Sequence, residues 1–240
     1  MEQEVIFKDL GKQSYKAVWD EQEQLLKANA DIKMAFKFGN QSDLMPNTIP
    51  TLHHLLFVEH PPVYTLGKNG KIEHVLISEA ERIKKGIEYF HINRGGDITF
   101  HGPGQLVGYP ILDLERFKTD LGWYLRTLEE VIIKTMADYG LKGERSAGET
   151  GVWLDAHIKG KERKICAMGI KCSRWITMHG FAFNVNTDLT YFDHIVPCGI
   201  QHKKVTSLAQ ELGYLVNMEE VKYRVKKHFE TLFPCKLIGG

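Results

Sequence analysis

The chain has 240 residues, 43% of them hydrophobic and 10% aromatic, enough to bury the core of one large α/β-type domain with or without a small lobe. Its 31 basic and 30 acidic residues leave a formal net charge of +1, so no global field favours nucleic acid. Uncharged runs near Leu44–Val58 and Ile98–Leu112 are interrupted by proline or glycine and fall short of the ~18 apolar residues a membrane span requires, which argues against a membrane protein.

The start, "MEQEVIFKDLG", carries acidic residues and no apolar signal segment. Cys166, Cys172, Cys198 and Cys235 lack both the density of a disulfide scaffold and the C-x-x-C spacing of a zinc site, which suits a reducing, cytoplasmic setting without a bound metal. Residues about 13–30 read as a helix with Tyr15, Val18, Trp19, Leu25 and Leu26 on one side, and Gly39–Thr51 as a polar loop. "LLFVEHPPVYTLG" predicts two short strands separated by Pro61 and Pro62, since proline breaks a ladder. Ser78 and Glu81 form a capping box opening a short helix that Gly86 closes.

Ile87–Arg94 is a strand candidate, and "QLVGYPILDL" another. From about Lys118 to Tyr139, Leu121, Leu125, Leu128, Ile132, Met136 and Tyr139 recur at helical spacing, with Gly140 as the stop. Three strand-like runs follow, "GVWL", "ICAMGIKC" and "WITMHGFAFNVN", then helices near Ser207–Leu212 and Met218–Phe233. No repeat or interdomain linker divides residues 1–240, which read as one domain. Strands come in clusters between helices, predicting an α+β fold with a mixed, largely antiparallel sheet flanked by helices; a minor C-terminal lobe is permitted but not required.

Several chemistries are excluded by missing signatures. There is no P-loop, no G-x-S-x-G elbow and no H-E-x-x-H, and Gly102, Gly104 and Gly108 miss the dinucleotide-binding spacing by one residue. What remains is the stretch "RGGDITFHGPGQ", Arg94 to Gln105. Glycine inside a strand pattern marks a bulge or a close approach of ligand or backbone, so this stretch reads as tight turns or, with Arg94 and His101, as a ligand-binding wall. In "KERKICAMGIKC", Lys161 and Arg163 read as a solvated hairpin tip. Period-2 alternation puts Lys164 on one face with Cys166, Met168 and Ile170. A lysine directed into a pocket either lowers a nearby thiol's pKa or loses its own proton.

His179 and Gly180 interrupt the next strand; a lone histidine there is more often part of a core than a catalyst. Cys166, Cys172 and Cys235 read as small buried hydrophobes. Cys198, between Pro197 and Gly199, is open to two readings, another such residue or a nucleophile presented on a turn.

"RGGDITFHGPGQLVGYPILDL", "KICAMGIKCSRWITMHGFAFNVNTDL", "IVPCGI" and the upstream "VEHPPVYTLG" closely resemble the lipoyl(octanoyl) transferases, over about Leu55 to Leu212. The resemblance implies a biotin/lipoate protein ligase-like (class II synthetase-like) fold and no cofactor. It implies transfer of octanoyl from octanoyl-acyl carrier protein to a lysine of a lipoyl domain, with Cys198 as the thioester-forming nucleophile and Lys164 as its catalytic partner. The acceptors implied are lipoyl domains of 2-oxoacid dehydrogenase complexes and glycine cleavage H protein, and the enzyme is expected to be a cytoplasmic monomer.

Substrate contacts are expected at Arg94, Gly95, Gly96, Asp97, Ile98, Thr99, Phe100, His101, Ala167, Met168, Gly169, Gly180, Phe181 and Ala182. The glycines and alanines among them would be small so that an eight-carbon chain can pass between strands, and Arg94 and His101 would orient the acyl carbonyl. Lys159, Lys161, Arg163, Lys171 and Arg174 form either a basic docking surface for acidic carrier domains or a solvated face. The competing readings are an ATP-dependent lipoate or biotin protein ligase, a lipoyl amidotransferase of the same fold, and a non-catalytic acyl-carrier scaffold.

Overall fold

The structure, a computed structural model, describes residues 2–38, 49–196 and 204–239. Cys198 and residues 39–48 of the Gly39–Thr51 loop lie outside the described residues.

The strand pattern "HHLLFVE" is buried along almost its whole length because its two sides meet two different cores. Strand β2 (His53–Glu59) turns Leu55 and Phe57 to one face of a large sheet and Leu56 and Val58 to the other. Its neighbours are β1 (Gln3–Lys12), parallel to it, and β6 (Gln105–Ile111), antiparallel. Beyond β6 come β9 (Ile176–Asn184), β8 (Arg163–Ser173) and β7 (Val152–Leu154), each antiparallel to its predecessor. Parallel partners complete the margins: β11 (Cys235–Ile238) on β1, and β10 (Lys204–Val205) on β8. A small second sheet has β3 (Val63–Leu66) between β4 (Glu88–His91) and β5 (Ile98–His101). The mixed sheet with an antiparallel centre is the architecture expected.

Helix α1 (Tyr15–Phe38) covers one face of the large sheet through Val18, Leu26 and Ala30. It runs well past residue 30 because Lys33 is anchored by Asp113 and Glu115, each at 2.8 Å. The opposite face is covered by α3 (Leu121–Ala137) and α5 (Met218–Leu232). Helix α3 buries Tyr124, Leu128, Val131, Ile132 and Met136, whereas Leu121 is more than one-third exposed, so the inward stripe is rotated from the one drawn on the sequence. Helix α2 (Glu79–Lys84) carries both halves of the predicted capping box, and α4 (Leu208–Leu212) is a short segment capped by Ser207.

Strands β1, β10 and β11 have no counterpart in the sequence reading. Because β11 pairs with β1, the C-terminal segment is built into the large sheet. Among the described residues no helix is long and apolar enough to cross a membrane.

A carboxylate lies inside this framework. Glu129 of α3 is fully buried; it accepts from Arg126 Nη1 at 2.6 Å, Arg145 Nε at 3.0 Å and the Gly151 amide at 3.0 Å. It thereby ties α3 to the residue that opens β7. Glu129→Ala leaves that buried amide unpaired and is expected to cost ~1–3 kcal/mol, read as a lowered urea midpoint at unchanged slope.

Candidate active site

The loop before β5 lies across β8. Lys68 and Asn69 donate backbone hydrogen bonds to the Arg94 and Gly96 carbonyls, and the Gly95 amide donates to the Ile170 carbonyl at 2.9 Å. Gly96 makes the turn possible with φ of 89°. Between this loop, α1 and the β8–β9 pair is a cavity of about 90 Å³, partly open to solvent. Arg94, Gly96, Asp97, Ile98, Thr99 and His101 line one side; Lys164, Ala167, Met168, Gly169, Gly180, Phe181 and Ala182 line the other.

The structure therefore gathers two stretches some seventy residues apart in sequence. Two expected contacts do not line the cavity: Gly95 is the loop's anchor to β8, and Phe100 is buried, stacked on Tyr191 at 4.6 Å. The sequence reading missed Tyr15, Gln105, Tyr109, Thr150 and Asn184, and set aside His179, all of which line it. Tyr15 and Tyr109 are signalled only as apolar periodicity, but the interruption at His179 and Gly180 was visible.

Two glycines owe their size to protein backbone. A Cβ on Gly169 would stand 2.8 Å from the Gly95 carbonyl oxygen, and one on Gly180 would collide with that of Gly108. The loop and β6 respectively occupy the space a side chain would need. This differs from the expectation that acyl passage alone requires their smallness.

Arg94 and His101 are also held differently from expectation. Arg94 Nη2 donates to the Thr65 carbonyl at 2.7 Å and to Thr65 Oγ1 at 3.1 Å, and Nη1 to the Gly95 carbonyl at 3.0 Å. Gln105 Nε2 donates to the Phe100 carbonyl and Asn184 Oδ1, which leaves Gln105 Oε1 to accept from His101 Nδ1 at 2.9 Å. His101 Nε2 is then the acceptor facing Thr65 Oγ1 at 3.4 Å. These side chains form one network joining the two sheets, and it orients the wall.

Burial keeps its histidine neutral: His101 is held well below its usual pKa by desolvation and then by His60, and desolvation brings His60 to about 4. His60 donates Nδ1–H to the Gln13 carbonyl at 2.8 Å and accepts from the Tyr109 hydroxyl at 2.9 Å.

On the opposite wall, the pairing of β7 with β8 shifts register between Val152 and Trp153, so two β8 steps separate the partners Lys164 and Cys166 where β7 takes one. The bulge interrupts the alternation expected to put Lys164 beside Cys166, Met168 and Ile170. Cys166 is wholly buried in the core under α3 and α5, while Lys164 lines the cavity with Nζ 4.5 Å from the Trp153 ring centroid. Desolvation raises the pKa of all three described cysteines: Cys166 strongly, Cys172 to a lesser degree, and Cys235 to about 12. None is an activated thiol.

The basic run is not a free tip. Arg163 is bidentate to Glu211 at 2.6 Å and pairs with Asp155, and Lys171 pairs with Glu23 at 2.9 Å. Two of the five cations proposed as a docking surface are thus matched within the molecule.

Comparison with known proteins now bears on this arrangement. The family model described as the lipoyl protein ligase A/B catalytic domain matches residues 33–230. The chain is 56% identical over 238 residues to a protein of Christiangramia forsetii named octanoyltransferase, covering 99% of each. It is 55% identical over 239 residues to an octanoyltransferase of Flavobacterium psychrophilum, covering 99% of this chain and 100% of that protein. The bipartite lipoate protein ligase of Thermoplasma acidophilum superposes with a TM-score of 0.68 at 16% identity, covering 99% of this chain and 87% of that one, and shares the fold. The chain belongs to the lipoyl protein ligase A/B catalytic-domain family. Within it, the chain is an acyltransferase.

The neutral histidines make stability depend on pH. His53 and His179 are lowered to about 3 and His60 to about 4, chiefly by burial, and His101 is lowered well below 6.5. Between pH 6.5 and 4 the unfolded chain binds protons at these sites while the native one does not. Their contribution is therefore complete above pH 6.5 and falls away as pH drops toward 4, by up to ~1.4 kcal/mol per pH unit for each group. Urea midpoints measured from pH 7 to 4.5 should fall steadily; a flat profile would contradict the neutral assignment.

Proposed function

We propose that the chain transfers an octanoyl group from octanoyl-acyl carrier protein to a lysine amine on a lipoyl domain, through a thioester on Cys198. The acceptors are lipoyl domains of 2-oxoacid dehydrogenase complexes and glycine cleavage H protein, and the enzyme acts as a single-domain, cytoplasmic monomer. The observation that carries the reading is Lys164, on the wall of a cavity floored by Ala167 and Ala182 and roofed by the Arg94–Asp97 loop. A cation beside a channel narrow enough for an alkyl chain is the environment a thiolate and its acyl ester require. The relatives named octanoyltransferase supply the acyl group.

The chemistry balances without an energy source. The Cys198 thiolate attacks the donor carbonyl, a tetrahedral intermediate forms, and the carrier thiol leaves with a proton from the Lys164 ammonium. Neutral Lys164 then takes a proton from the acceptor amine as that nitrogen attacks the enzyme thioester, and Cys198 departs as thiolate. Thioester exchange is nearly isoenergetic and aminolysis to an amide is downhill, so ATP is not consumed. Burial of the chain supplies ~0.8 kcal/mol per CH₂ before ordering costs.

Intact mass after mixing the protein with octanoyl-acyl carrier protein, without ATP, tests the reading. Wild type should gain one hydroxylamine-labile octanoyl group; Cys198→Ser should gain none, and Lys164→Ala should load at least ~10²-fold more slowly. An unmodified wild type that acylates lipoyl domains only when ATP is added would make it a ligase instead.

A further inference from the structure

The inner end of the cavity holds a residue that neither the resemblance nor the chemistry above employs. Alternation along β9 turns Met178 and Ala182 toward α1 and Phe181 and Phe183 toward α3. A regular strand would send His179 with Phe181 into the α3 core. Instead His179 has φ of 60°, in the left-handed region that non-glycine residues seldom adopt, and it lines the cavity beside Gly169 and Gly180. Its backbone amide is held by Gln22 Oε1 of α1 at 3.0 Å.

His179 is 2% exposed, and among the described residues neither Nδ1 nor Nε2 has a hydrogen-bond partner. Nε2 of the neighbouring Gln22 is likewise buried and unpaired. Buried polar atoms are almost always satisfied, so two orphans on a lining residue, with a third on Gln22 directly behind it, mark a place where something polar is met. His179 pairs with Ile170 across the ladder, three strand steps or ~10 Å beyond the Ala167–Ala182 pair and away from Lys164. That is about the reach of an extended eight-carbon chain whose carbonyl lies beside the Ala167–Ala182 pair.

We propose that His179, with Gln22, forms a polar stop that sets the upper limit on acyl-chain length. This rests on the acyl-channel reading above. The imidazole nitrogens are closed off from solvent; a chain that ends short of the imidazole leaves space for the ring to turn a nitrogen toward a water. A longer chain presses methylenes against them, shuts water out and leaves them unpaired. Discrimination then comes from the polarity of the channel's end as well as its shape.

The test follows transfer to a lipoyl domain from octanoyl, decanoyl and 10-hydroxydecanoyl thioesters of an acyl carrier protein, read by acceptor mass. Wild type should use octanoyl about tenfold faster than decanoyl, and 10-hydroxydecanoyl, whose hydroxyl can serve the orphan nitrogens, about tenfold faster than decanoyl. His179→Leu should raise decanoyl relative to octanoyl by about tenfold and abolish the advantage of the hydroxyl, whereas His179→Asn, which keeps a polar group and tolerates the left-handed backbone, should retain octanoyl preference.

Equal use of octanoyl and decanoyl by wild type overturns the proposal. So does equal use of decanoyl and its hydroxylated form, a result that requires no variant and would point to a purely steric wall. Failure to transfer any chain removes the transferase reading and this proposal with it.

Discussion

Everything at the site depends on one backbone contact, the Gly95 amide on the Ile170 carbonyl, which closes a loop of the small sheet onto a strand of the large one. The contact is possible only because residue 169 has no side chain, since a Cβ would collide with the Gly95 carbonyl oxygen and the Arg94 stem. The closed loop turns the open face of a sheet into a roofed channel. It is braced from behind by the chain of hydrogen bonds from Arg94 through Thr65, His101 and Gln105 to Asn184, whose amide reaches the Thr206 carbonyl. Thr206 stands close after the segment containing Cys198. The network thus links the roof of the channel to the return of the chain from its proposed nucleophile.

Charge is distributed in a way that isolates the chemistry. Histidines around the channel are buried and neutral, so they supply orientation without competing for protons near pH 7. Arg163 and Lys171, which flank the channel on β8, are matched by carboxylates of α4 and α1 and serve as ties between layers. The described cysteines are held as thiols by desolvation. A cation placed beside Trp153 in such surroundings acts in a weakened dielectric, which strengthens the role proposed for it toward Cys198.

Much of the fold was legible because its signals are local. Ser78 with Glu81, Pro61 with Pro62, and the spacing of Leu128, Ile132 and Met136 each act within a few residues, and the corresponding cap, strand break and helix are where those rules put them. Strand β1 went unseen because its inner side keeps only Val5 and Phe7 between the polar Gln3 and Asp9, and β11 because four residues are too few to show a period; β1 exists through pairing with β2 and β11, and β11 through pairing with β1. The face carrying Lys164 was misjudged for a similar reason. A bulge is decided by the partner strand, and no residue of β8 announces it.

The sequence alone determined the kind of chemistry, acyl transfer, through motifs that resemble the lipoyl(octanoyl) transferases. It also determined the α+β class, through clusters of strands between capped helices. The tertiary structure decided which of those residues face one another. It set Arg94 and His101 to bracing the wall, matched Arg163 and Lys171 internally, and turned His179 from the core side into the channel. Side-chain direction and pairing depend on contacts between distant segments, where a one-residue shift in register or a single left-handed residue redirects a group to the opposite face.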